Sequence, residues 1–162
     1  MFVACNKEKG SQDIDFSLLS KFAWQHIDHR KSILVFNDEK PLEYDDTTLA
    51  TFNKDSFTVI TKSVSESLSL SGHIIKRTTG TLKGAYSINN NDSTIILFLS
   101  NAASLYPGYG DSIVSYSSIC KVTILNKKSL DVRAIADPLT VPMWEENPLC
   151  GTSGKRYTAV KK

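Results

Sequence analysis

Residues 112–136 read SIVSYSSICKVTILNKKSLDVRAIA, and the spacing of their apolar side chains decides the fold class. Val114, Tyr116, Ser118, Cys120, Val122 and Ile124 occupy every second position. A period of two places them on one face of an extended strand, whereas a helix would scatter them around its axis. The polar cluster Asn126-Lys127-Lys128-Ser129 interrupts the pattern. It resumes with Leu130, Val132, Ala134 and Ala136, which alternate with charged residues and Ile135. Two alternating runs joined by a short polar turn predict an antiparallel hairpin with Cys120 pointing inward.

The same signature extends upstream. Ser32–Phe36 is a short apolar strand, followed by the acidic, turn-rich stretch NDEKPLEYDD at 37–46. Strands are expected at Thr48–Phe52 and Phe57–Val64, on either side of Asn53-Lys54-Asp55. Leu68, Leu70 and Ile74 alternate with serines and His73. Thr78-Thr79-Gly80 predicts a turn, after which Leu82, Gly84, Tyr86 and Ile88 return on alternate positions. The cluster NNND at 89–92 marks the next turn. Thr94–Leu99 is apolar on both faces, as in a central strand covered on both sides. A last strand is expected from Arg156 to Val160.

One segment has a different period. In Asp15–Arg30, Phe16, Leu19, Phe22, Ala23 and Ile27 recur at about 3.6 residues, predicting an amphipathic helix. Asp15 caps its N-terminus, Ile14 staples against Leu19, and Arg30 and Lys31 sit at the negative end of the dipole. The expected fold is therefore mainly β: an antiparallel meander curled into a barrel or sandwich, the curled sheet being favoured, with one N-terminal amphipathic helix.

With 162 residues, the chain is expected to form a single β-rich domain over 13–162 behind a short N-terminal tether, 1–12. A net charge of +2 argues against nucleic acid as a partner. The run Ile95–Leu99 is far too short to cross a bilayer.

The N-terminus, MFVACNKEKG, carries Phe2-Val3-Ala4-Cys5 followed by a polar stretch to Gln12. This resembles the end of a bacterial lipoprotein signal, the lipobox, in which small or aliphatic residues precede a cysteine that becomes lipidated. The resemblance implies lipidation at Cys5, a flexible tether behind it, and attachment to the cell envelope, on its periplasmic or surface side, through a lipid anchor only. Phe2 stands where an aliphatic residue is usual. With Cys5 assigned to lipid, Cys120 and Cys150 remain as the one possible pair. A disulfide between them would pin a loop rich in proline and glycine, as an oxidising compartment allows.

The candidates for chemistry are few. His26 and His29 make an H-x-x-H spacing with Asp28 between them, but no third ligand is indicated and no metal or cofactor is expected. Asp38, Glu39, Glu43, Asp45 and Asp46 read as a solvated acidic loop. His73, Lys76, Arg77 and Lys83 decorate one hairpin without interleaved exposed aromatics. YGDS at 109–112 lacks a G-x-S-x-G elbow, and GTSGKRY at 151–157 is no phosphate loop. Ser153-Gly154-Lys155-Arg156-Tyr157 resembles the S-G-x-x-Y signature of bacterial periplasmic lysozyme inhibitors, but it stands at the extreme C-terminus without that family's following strands.

SLYPGYGD at 104–111 sets Tyr106 and Tyr109 around a Pro-Gly turn, and Trp144 stands in a second long loop. Aromatics on rigid turns suit a protein-binding surface. The expected function is thus non-enzymatic: an envelope lipoprotein that binds another protein, such as a toxin or envelope enzyme, as an inhibitor or immunity factor. The alternative is a β-barrel carrier of a small apolar ligand or lipid, which an internal cavity lined by apolar side chains would favour, whereas a filled core with exposed tyrosine loops would favour the binder.

Overall fold

The computed structural model describes residues 14–32, 41–69, 72–99, 116–135, 149–151 and 154–162. A short helix, α1 (Ser17–Lys21), precedes eight strands: β1 (Ala23–Lys31), β2 (Glu43–Phe52), β3 (Ser56–Ser69), β4 (Gly72–Asn89), β5 (Thr94–Leu99), β6 (Tyr116–Leu125), β7 (Ser129–Ala134) and β8 (Lys155–Val160). Each strand pairs antiparallel with the next, and β8 returns to β1, closing a barrel. The meander read from the alternating pattern is therefore a barrel and not a sandwich. Closure leaves no lateral edge where ladders are continuous, which is how an all-antiparallel sheet satisfies its edge groups.

Two expectations about local structure are corrected. The helix predicted over Asp15–Arg30 ends at Lys21, and Ala23–Lys31 is strand β1. The N-cap position is Phe16 and not Asp15, which accepts the Ser17 amide at 3.0 Å from the residue before it; Phe16 and Leu19 are buried as the helical stripe required. Ile27, however, is exposed, while Trp24, which the stripe left out, is fully buried. The ladders to β2 and β8 supply β1 with backbone partners on both sides, and they override a weak helical period. The Trp24 indole donates to the Leu19 carbonyl at 3.1 Å. The Lys162 ammonium donates to the Ser20 and Phe52 carbonyls at 2.6 Å each, so the end of α1 is tied to the barrel wall.

The second correction concerns Thr78-Thr79-Gly80. These residues lie inside β4, whose first residue, Gly72, pairs with the last of β3, Ser69, and has φ +125°. The left-handed φ is what marks the true turn. The acidic stretch is corrected likewise, because Glu43, Asp45 and Asp46 are strand residues of β2.

The core occupies the end that α1 covers. Trp24, Ala50, Phe52, Phe57, Val59, Leu82, Ile95, Leu97, Val122, Leu130 and Tyr157 point inward and are buried. A bulge between Val122 and Ile124 shifts the phase of β6. Ile124 is consequently exposed, and Leu125 packs against the core instead. On the outer face of β5, Thr94 is buried and Ile96 half-buried, but Phe98 is 47% exposed, so the two-sided burial expected fails toward the far end of the strand.

Connections differ sharply between the two ends. At the α1 end they are 53–55, 90–93 and 126–128; at the far end they include 32–42, 100–115 and 135–154. Long connections gathered at one end of a rigid scaffold are where binding residues concentrate.

Candidate functional site

The inner wall changes character within one step of the pleat. One row of cross-strand neighbours runs Trp24–Ala50–Val59–Leu82, and every member is buried. The next row toward the far end runs His26–Thr48–Thr61–Gly80, and beyond it lie Asp28 opposite Asp46 and Ser63 opposite Thr78. The Ser63 and Thr78 hydroxyls are hydrogen-bonded at 2.9 Å. An eight-stranded barrel is just filled by large side chains. On β2–β4 the inward phase of the far half holds instead Thr48, Thr61, Ser63, Thr78 and Gly80, together with the charged Asp46 and Lys76.

That half is also built from two hairpins that part from one another. The β2–β3 ladder runs from Phe52–Phe57 to Thr47–Lys62, while β3 continues with β4 to Ser69. Where β2 departs, side chains replace the missing strand. Asp46 accepts the Val64 amide at 2.9 Å, and Arg30 donates to the Val64 carbonyl at 2.6 Å. The Ser32 hydroxyl donates to the Glu66 carboxylate further along. Tyr44 sits beside this cluster; lost solvation, and then the Glu66 carboxylate, push its hydroxyl above the ordinary tyrosine range. On the outer side the split leaves a groove of about 390 Å³ lined by Glu43, Tyr44, Asp45, Val64 and Arg77. Two of its acids are paired, Glu43 with Lys31 at 3.3 Å and Asp45 with His29 at 2.6 Å.

On the opposite side of the barrel, a piece of the long 135–154 connection enters the lumen. Leu149 and Cys150 are completely buried, and Cys150 is disulfide-bonded to Cys120 on β6. The Tyr157 hydroxyl donates to the Leu149 carbonyl at 2.6 Å, and the Ala134 amide donates to the Gly151 carbonyl at 3.1 Å.

The expected pairing of Cys120 with Cys150 is thus present, with Cys120 facing inward. His26 and His29 do not form a chelate: on a strand, residues three apart face opposite sides. His26 bonds the Arg156 carbonyl through Nδ1 at 2.8 Å, whereas His29 pairs with Asp45. Among the described residues no three His, Cys, Asp or Glu side chains gather as metal ligands would. Lys76 and Arg77 are adjacent on β4 and therefore point to opposite faces, which divides the basic hairpin. Tyr157 of the GTSGKRY segment is a core residue of β8. Cys5, Asp38, Glu39, Tyr106, Tyr109 and Trp144 lie outside the described residues.

The hydroxyl-bearing wall was missed because Thr78-Thr79-Gly80 reads as a turn. The signal was present in the alternate positions of Thr61, Ser63, Ser65 and Ser67, which share the inward phase of Phe57 and Val59.

No helix among the described residues is long and apolar enough to cross a membrane. No family model and no curated protein matches the chain. Among solved structures, a lipocalin-like protein from Bacteroides uniformis ATCC 8492 aligns with 88% of this chain and 97% of its own at 18% identity, with a TM-score of 0.37.

Proposed function

We propose that the protein is a non-enzymatic barrel that carries a small amphipathic ligand in its far half. The observation that carries this reading is the abrupt change of the inner wall from Trp24–Ala50–Val59–Leu82 to His26–Thr48–Thr61–Gly80. A floor of packed apolar residues beneath small hydroxyl-bearing ones suits a molecule with an apolar body and a polar group. Closure by α1 at one end and long connections at the other support entry from the far end. The disulfide and the lipobox-like N-terminus support a location in the bacterial envelope, where such a carrier would be tethered.

Native mass spectrometry of protein purified from its own cells, without detergent or denaturant, tests the proposal. A stoichiometric small molecule lost on denaturation is the expected result. Protein that holds none, and fails to bind a polyene fatty acid probe saturably, would overturn it. Stoichiometric capture of one envelope protein under the same conditions would favour a protein-binding role.

A further inference from the structure

We infer that the end of the β3–β4 hairpin docks on an anionic lipid bilayer: Leu68, Ile74 and Ile75 enter its interface while Lys76 and Arg77 meet the lipid phosphates. The inference does not rest on the carrier reading above.

The hairpin outreaches the barrel. The β2–β3 ladder stops at Thr47–Lys62 and the β4–β5 ladder at Gly84–Leu99, so beyond these limits β3 and β4 have only each other as ladder partners among the described strands. The β1–β2 hairpin braces it as far as Glu66, through Ser32. From that level to the tip, Leu68, Ile74 and Ile75 are 52%, 48% and 44% exposed. No other stretch so short exposes three large aliphatic side chains among the described residues. Single exposed aliphatics need no explanation, but a cluster at the end of a projecting element marks a surface that something apolar covers.

Charge decides what covers it. No Asp or Glu occurs from Ser67 to Asn91. The pleat puts Ile74 and Lys76 on one face and Ile75 and Arg77 on the other, and all four are exposed. Both faces therefore repeat one order from the tip, an aliphatic side chain and then a cation about 7 Å further back. A protein groove would cover one face of a hairpin; the same order on both faces suits a medium that surrounds it. A lipid interface has this layering, with apolar side chains buried about 5–10 Å deep and cations drawn to the anionic headgroups above. Nearby acids are occupied: Glu66 accepts from Ser32, while Glu43 and Asp45, which share the outer groove with Arg77, pair with Lys31 and His29. Strand edges without ladder partners cannot enter the hydrocarbon, so the hairpin docks and does not span.

The test uses the full chain, oxidised and unacylated, with vesicles of phosphatidylcholine alone or mixed with phosphatidylglycerol. Cosedimentation with the anionic vesicles is expected, weakening as salt is raised. Leu68→Ser combined with Ile75→Ser should lower the partition coefficient on the order of tenfold or more. Lys76→Gln combined with Arg77→Gln should lower it by about tenfold on the anionic vesicles alone. All four side chains are exposed, so melting temperatures should stay at the wild-type value. Leu68→Trp reports contact directly: its emission should shift to the blue with anionic vesicles and be quenched by bromine on the acyl chains. Wild-type protein that sediments with neither vesicle, or equally with both, would overturn the inference without need of any variant. So would binding that survives both double substitutions, or Leu68→Trp emission indifferent to brominated lipid.

Discussion

Arg30 and Asp46 are ion-paired at 2.7 Å across β1 and β2, and together they occupy the place of a missing strand beside Val64. One side chain donates to the Val64 carbonyl and the other accepts its amide, so the split between the two hairpins is a built feature and not a fray. Buried or half-buried backbone groups need such partners wherever a ladder stops.

Removing the acceptor should therefore cost more than a surface ion pair does. Asp46→Ala leaves the Val64 amide and the Arg30 guanidinium without their partner, and a loss of about 1–3 kcal/mol in urea unfolding is expected. Hydrogen exchange at the Val64 amide should accelerate selectively. Stability and exchange both unchanged would mean that water replaces the carboxylate without penalty.

Gly84 faces Phe57 on β3 and Leu99 on β5. A Cβ there would collide with the Phe98 carbonyl oxygen and lie 3.0 Å from the Phe57 ring. Gly84→Ala should lower stability by about 3 kcal/mol or more, because backbone on one side and a packed core ring on the other cannot both move. At Gly72 a Cβ would meet open space, but φ is +125°, so Gly72→Ala should cost only on the order of 1 kcal/mol through backbone strain. Thermal melts of the two variants that came out in the reverse order would contradict this packing.

Burial raises the Tyr157 phenol well above the ordinary tyrosine value, and it raises Tyr86 as well. A folded-state pKa above the unfolded one means that the native protein holds its proton longer. Stability is then full below about pH 10 and declines as pH rises beyond it. Absorbance near the tyrosinate band should show Tyr157 titrating only on unfolding. Tyr157→Phe should weaken that alkaline dependence, and should lose about 1 kcal/mol at neutral pH with its hydrogen bond to Leu149.

The Cys120–Cys150 bond spans 30 residues of sequence. Cys150→Ser should destabilise the barrel by about 3–4 kcal/mol in the chain-entropy description, and mapping under non-reducing conditions should find this pair linked. Free thiols at both positions in protein purified without reductant would refute the bond.

Alternation of apolar side chains determined the antiparallel meander, because period two has one structural meaning once turns punctuate it. The inward phase of Cys120 was legible for the same reason, whereas its pairing with Cys150 was expected only because the lipobox resemblance set Cys5 aside. The period of Asp15–Arg30 was not decisive. Phe16 and Leu19 obey the helix, while Trp24 and His26 obey a strand, and only the ladders to β2 and β8 settled where one ends and the other begins. Tertiary structure alone also decided the site. Thr61, Ser63, Thr78 and Gly80 are unremarkable in sequence, and Leu149 lies far from all of them along the chain. Barrel closure sets β3 and β4 across the lumen from β7 and β8, and a lumen exists only once the first strand has paired with the last.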